Sequence, residues 1–127
     1  MKFAIQVPIV VRGVKVYGPR GFRAVDLVLD TGSIFTVLSS PVLRLIGYEP
    51  ADAEKQIGVV TAGGIVDAFK IRVDRVSVAE LEVPEFDVLC MDIVGLPHID
   101  GLLGLDFLKH FRTVIDFRKG IVEISRF

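Results

Sequence analysis

The chain has 127 residues, with 15 Lys and Arg against 16 Asp and Glu and a formal net charge of −1. The basic residues are scattered, so no cationic footprint for nucleic acid is present. Hydrophobic residues make up 51% of the chain, which excludes intrinsic disorder. The length suits one domain over residues 1–127, large enough to bury roughly two-thirds of its unfolded surface. Cys90 is the only cysteine. It can build neither an internal disulfide nor a thiolate metal cluster, and a reducing, cytoplasmic setting is expected. The charge-free stretches Thr31–Leu43 and Gln56–Val66 fall short of the roughly 18–20 apolar residues of a membrane helix, so no membrane segment is expected.

The 20 valines and 12 isoleucines favour strands over helices. Turn residues recur every eight to twelve positions, the spacing of a small all-β domain. Near the N-terminus, Gln6 and Pro8 interrupt an apolar run that would otherwise suggest a signal peptide, and Phe3–Val11 reads as a strand. Gly13–Tyr17 is a second strand. Gly18-Pro19-Arg20-Gly21 is a turn, and Phe22–Asp30 follows with Val25, Leu27 and Leu29 on one face. A short helix is expected with Ser40 as its cap, Pro41 in its first turn and Gly47 at its end. Its apolar side would be Val42, Leu43, Leu45 and Ile46. Lys55–Thr61 and Ile65–Val73 flank Ala62-Gly63-Gly64 as a hairpin with a flexible tip. Val76–Val83 and Phe86–Met91 read as strands split by Pro84. Ile93–Gly101 reads as a loop, Leu105–Phe111 as a second short helix, and Thr113–Phe117 with Ile121–Arg126 as a last hairpin.

Three segments carry candidate chemistry. Leu27-Val28-Leu29-Asp30-Thr31-Gly32-Ser33 is an apolar strand that ends in a carboxylate, two hydroxyls and a glycine. Val60-Thr61-Ala62-Gly63-Gly64 is the hairpin tip. Gly101-Leu102-Leu103-Gly104-Leu105-Asp106-Phe107-Leu108 follows near the C-terminus. Asp-Thr-Gly-Ser alone is a run of ordinary turn residues. In this order and spacing, over roughly Gly13–Ile124, the three segments resemble the retroviral-type, retropepsin-like aspartic peptidases.

The resemblance implies an all-β, closed-barrel-like acid-peptidase fold with one or two short helices and a flap hairpin. It implies Asp30 as the catalytic carboxylate, with Thr31 gripping its counterpart across a twofold axis and Gly32 letting two active loops meet. Ser33 would hydrogen-bond the Asp30 carboxylate. Val59, Val60, Thr61, Ala62, Gly63 and Gly64 would form the flap over an extended peptide. Leu102-Leu103-Gly104 would pack behind the active loop. Ile34 stands where the family usually has a small or polar residue.

Aspartic peptide hydrolysis needs two carboxylates that share a proton. This chain has a single Asp-Thr-Gly. An active enzyme of this type must therefore be a homodimer. Phe3–Val11 and Ile121–Phe127 are the candidates for the dimer sheet. No cofactor is implied, and His98 with Asp100 are too few ligands for a metal site. Asp106 lacks the following Thr/Ser-Gly and suits the first turn of a helix instead. Cys90 reads as buried packing, and Arg72, Asp74 and Arg75 as a solvated corner. The alternative function is a non-catalytic peptide-binding or dimerisation module on the same fold.

Overall fold

The computed structural model describes residues 1–127 except Gln6, Val7, Glu54, Ala62, Val94 and Leu96. Its strands are β1 (Lys2–Ala4), β2 (Val10–Gly18), β3 (Gly21–Leu29), β4 (Val37–Leu38), β5 (Lys55–Thr61), β6 (Gly64–Val78), β7 (Leu81–Cys90), β8 (Gly101–Leu103), β9 (Arg112–Asp116) and β10 (Ile121–Ser125). Two short helices, α1 (Ser40–Leu45) and α2 (Leu105–Leu108), and a 3₁₀ turn at Pro50–Asp52 complete the described elements. The fold is mostly β, as the composition implies.

Six strands close into a barrel in the order β2-β3-β8-β4-β7-β6, with Val16 opposite Val76 at the seam between β2 and β6. Closure removes the unpaired edges that an open sheet would expose. Strand β5 pairs with β6 outside the ring, and β1, β10 and β9 form a separate three-stranded sheet. Period-two alternation fills the barrel: Val25, Leu27 and Leu29 of β3 are buried, and so are Val14 and Val16 of β2. Phe107 of α2 lies fully inside, edge-on to Phe86 with ring centroids 6.1 Å apart and 5.2 Å from Phe111.

Several boundaries differ from the sequence expectations for identifiable reasons. Phe3–Val11 is not one strand. β1 ends at Ala4, β2 starts at Val10, and Gln6 and Val7 lie outside the described residues. β2 instead continues through Gly13, where the register with β3 shifts and φ is +69°. There the Asp26 carboxylate accepts the Gly13 N–H at 3.1 Å and an Arg12 Nη1 donor at 3.0 Å, so a side chain replaces the missing ladder bond.

Val76–Val83 is not one strand either, because the chain turns at Ala79-Glu80 and Val78 pairs with Leu81. β6 runs 15 residues without a break at Val73. Pro84 lies within β7 opposite Arg75 rather than between strands. Glu85 takes φ +48° there, and the buried face changes phase, from Ile71 and Val73 to Val76 and Val78 along β6.

Ser40 does not cap α1. Ser39 occupies that position without a side-chain cap bond, while the Ser40 N–H and Oγ donate to Asp92. Gly47 does end α1, at φ +104°. Leu45 points to solvent, leaving Val42, Leu43 and Ile46 as the buried side. α2 stops at Leu108, and the chain continues to Phe111 in tight turns.

Phe107→Ala should destabilise the fold by about 3–5 kcal/mol, since it empties a fully buried aromatic site at the base of the barrel. Urea unfolding followed by circular dichroism reads this directly. A change under about 1 kcal/mol would show that the cluster of Phe86, Phe107 and Phe111 does not anchor α2.

Candidate active site

The site begins where β3 ends. β8 lies between β3 and β4, parallel to the first (Leu29 opposite Leu103) and antiparallel to the second (Val37 opposite Leu102). The loop joining β3 to β4 is thus gripped on both sides by one strand from near the C-terminus. Leu102-Leu103-Gly104 lie behind this loop, as the resemblance implies. The Asp30 N–H donates to the Leu103 carbonyl at 3.0 Å, which carries the pairing one residue past β3. Glycine is required here for space: a Cβ at Gly101 would overlap the Val37 carbonyl, and one at Gly104 the Phe35 carbonyl.

Asp30 is half-buried, and Thr31 and Gly32 are exposed beside it. The Gly32 N–H donates to Asp30 Oδ1 at 3.0 Å, and the Ser33 N–H donates to the Asp30 carbonyl at 3.2 Å. One backbone donor of the loop therefore holds the carboxylate, and a second closes the turn on the Asp30 carbonyl. Ser33 does not act as the resemblance suggests. Its Oγ donates to the Phe35 carbonyl at 2.6 Å, bracing the loop rather than the Asp30 carboxylate.

A residue outside the expected set organises the loop. Thr36 is fully buried in the apolar run Phe35-Thr36-Val37-Leu38. Its N–H donates to Asp106 Oδ2 at 2.9 Å and its Oγ1 to Asp106 Oδ1 at 2.7 Å. The same Oγ1 accepts the Gly104 N–H at 3.1 Å. Asp106 Oδ1 also accepts the Phe107 N–H at 2.9 Å, which satisfies a donor at the start of α2. Asp106 is therefore structural, as its sequence context suggests, and it is tied to the loop as well as to the helix. One polar residue amid apolar neighbours was the available signal for Thr36.

The expected hairpin is present. β5 and β6 pair from Lys55 opposite Lys70 to Thr61 opposite Gly64, and Gly64 takes φ +118° at the tip. Val59, Val60, Thr61, Gly63 and Gly64 all lie on this hairpin, and Ala62 falls outside the described residues. Ile57 and Val59 pack toward a small apolar cluster built on buried Val37, Ala68 and Leu89, which Phe35 and Leu102 also join. That cluster links the hairpin to the loop of Asp30. Val60 and Ile65, paired across the hairpin, are 82% and 76% exposed.

Other candidates are accounted for locally. Asp100 Oδ2 accepts the Asp26 N–H at 3.0 Å, and His98 is exposed with φ +64°. Cys90 is buried in β7, and burial, reinforced by the nearby Asp92 carboxylate, pushes its thiol above the ordinary range. At the charged corner, Arg72 forks onto Asp87 at 2.9 and 3.2 Å, and Arg75 pairs with Glu82 at 2.9 Å. β1 and β10, the terminal segments nominated for a dimer sheet, pair with each other within the chain, Phe3 opposite Val122.

A family model described as gag-polyprotein "putative aspartyl protease" matches residues 21–110, from the start of β3 to just past α2. The chain belongs to this aspartyl protease family. The architecture agrees. A crystal structure of a retropepsin-like aspartic protease from Rickettsia conorii superposes with a TM-score of 0.70 at 19% identity, over 96% of this chain and 95% of that one. EIAV protease complexed with the inhibitor HBY-793 superposes with a TM-score of 0.52 at 22% identity, over 68% and 75%. The retropepsin-like fold expected from the three segments is therefore present. No helix among the described residues is long and apolar enough to cross a membrane.

Two outcomes test this local account. Thr36→Val should cost about 2–3 kcal/mol in urea unfolding, because it orphans the Gly104 N–H and removes one donor from Asp106, whereas Thr36→Ser should recover most of that loss. Cys90 should react with a thiol reagent at least about tenfold more slowly in the native protein than in urea, because it is both buried and protonated at neutral pH.

Proposed function

We propose that this retropepsin-like protease hydrolyses peptide bonds in extended polypeptide as a homodimer, with Asp30 of each copy supplying one of two catalytic carboxylates. The observation that carries the reading is the half-buried Asp30 on a braced loop, beside an apolar cluster that continues into the hairpin of β5 and β6. The sequence holds one Asp-Thr-Gly, and Asp106 is engaged by Thr36 and Phe107. The second carboxylate then comes from a second copy, and a twofold axis supplies it without further sequence.

Two carboxylates about 3 Å apart cannot both ionise, so the pair holds one proton between them. The ionised Asp30 takes a proton from a water molecule, and the oxygen of that water attacks the peptide carbonyl carbon. The protonated Asp30 gives its proton to the carbonyl oxygen, forming a tetrahedral diol. Collapse of the diol breaks the C–N bond: the proton first taken from water goes to the leaving nitrogen, and one diol hydroxyl returns its proton to the carboxylate that had donated to the carbonyl oxygen, which regenerates the singly protonated pair. Thr31 and Gly32, exposed next to Asp30, would form the contact between the two loops. Ser33 supports that loop through the Phe35 carbonyl. Val59, Val60, Thr61, Ala62, Gly63 and Gly64 would close over the bound chain, exclude water and offer backbone donors to it. The apolar cluster at the base of the flap favours apolar side chains near the cut bond. The whole chain acts as one domain, and its single thiol suits the cytoplasm.

Asp30→Asn should lower cleavage of a diverse peptide library by at least about 10²–10⁴-fold while peptide binding persists. Equal cleavage by both proteins would place the chemistry elsewhere. Binding without cleavage by the wild-type protein would favour the peptide-binding module. Activity per protomer should also fall on dilution below the dimer dissociation constant, and a constant value would overturn the shared site.

A further inference from the structure

Two large apolar side chains stand exposed at the edge of the Asp30 loop. Ile34 is 69% exposed and Leu105 is 41% exposed. Their backbones adjoin: the Leu105 N–H donates to the Ser33 carbonyl at 2.8 Å, and the Asp106 N–H donates to the Ile34 carbonyl at 3.1 Å. Single exposed apolar residues are ordinary on a protein surface. Here two of them adjoin, and both sit on backbone that Thr36 and Asp106 hold in place.

We propose that Ile34 and Leu105 form an apolar seam through which a second copy of this chain docks at the Asp30 loop. This inference rests on the shared-site reading above, in which the twofold axis passes beside Asp30. The Ser33 N–H bonds back to the Asp30 carbonyl at 3.2 Å, a turn that keeps Ser33 within about 7 Å of Asp30 and Ile34 one residue beyond it. A patch near a twofold axis meets its own copy, so each apolar side chain is buried twice per dimer. Charge argues the same way. From Thr31 to Leu43 the sequence carries no charged residue, so this stretch offers the partner loop no ion-pair partner. Lys109, one turn beyond Leu105, is exposed. Apolar burial, rather than ion pairing, then supplies the cohesion of the seam.

Sedimentation velocity on the full chain tests this with Ile34→Ser, Leu105→Ser and the double variant. Each single change should raise the dimer dissociation constant by about tenfold or more, and the double change by about a hundredfold or more. Circular dichroism should show an unchanged fold. Joining two copies of the double variant in one polypeptide should restore peptide cleavage to within about threefold of the equally joined wild-type pair.

Wild-type protein gives an independent reading. Its dissociation constant should not rise between about 0.1 and 1 M sodium chloride, and it should fall in sodium sulfate. An unchanged dissociation constant in the variants, no rescue on joining, or a dimer that weakens about tenfold in sodium chloride would each overturn the seam. A wild-type chain that never dimerises, or that cleaves peptides as a monomer, would instead overturn the shared site itself.

Discussion

The contact between buried Thr36 and half-buried Asp106 is the constraint on which the site depends. A carboxylate half inside a protein is costly unless its oxygens are occupied by donors. Asp106 meets that demand with the Thr36 N–H, the Thr36 hydroxyl and the Phe107 N–H. In doing so it joins the loop after β3 to the start of α2, elements 70 residues apart. β8 continues the same restraint by pairing with the strands on both sides of the loop. The Asp30 loop is therefore held by backbone bonds, a buried side-chain network and two glycines whose replacement would collide with carbonyl oxygens. A loop so restrained can hold a carboxylate in one orientation, which general acid–base chemistry requires.

The flap follows a different logic. Of its two strands only β6 belongs to the barrel; it leaves the ring near Ala68, which is buried, and toward the tip it pairs with β5. Burial falls along the hairpin from Ala68 to the strongly exposed pair of Val60 and Ile65. An element anchored at its base and lightly packed at its tip is a low-stability unit, the kind of segment from which moving lids are drawn. Glycines at the tip permit the positive φ seen at Gly64. The small cluster around Val37 and Leu89 then ties the base of the hairpin to the Asp30 loop.

A site shared between two copies, as proposed, would have consequences for stability as well as chemistry. The protomer completes its own core, because the barrel closes on itself and the terminal strands pair within the chain. Beside Asp30 it leaves Thr31, Gly32, Ile34 and Leu105 exposed, while Phe22, Leu45, Phe117 and Phe127 are exposed elsewhere on the surface. In the proposed dimer the surface that joins two copies would also carry the incomplete chemistry, and association and catalysis would become one equilibrium.

The sequence by itself determined the all-β class, the Asp30-Thr31-Gly32-Ser33 turn at a strand end and the hairpin with its glycine tip. These are local matters, set by period-two burial, β-branched composition and turn chemistry within a few residues. It also carried the structural role of Asp106, through the absence of the Thr/Ser-Gly that follows Asp30. Tertiary structure alone decided the rest. Ser33 turned to the Phe35 carbonyl because the loop is bent back by β8, a strand some 70 positions away whose pairing no local pattern announces. Thr36 looked like one polar interruption in an apolar run until Asp106 and Gly104 were brought against it. Gly13 and Pro84 resembled strand breaks, yet the ladders pass through them, because cross-strand pairing and a carboxylate from the neighbouring strand outweigh a weak local preference. Such bonds join residues distant in the chain, so they exist only once the barrel has closed.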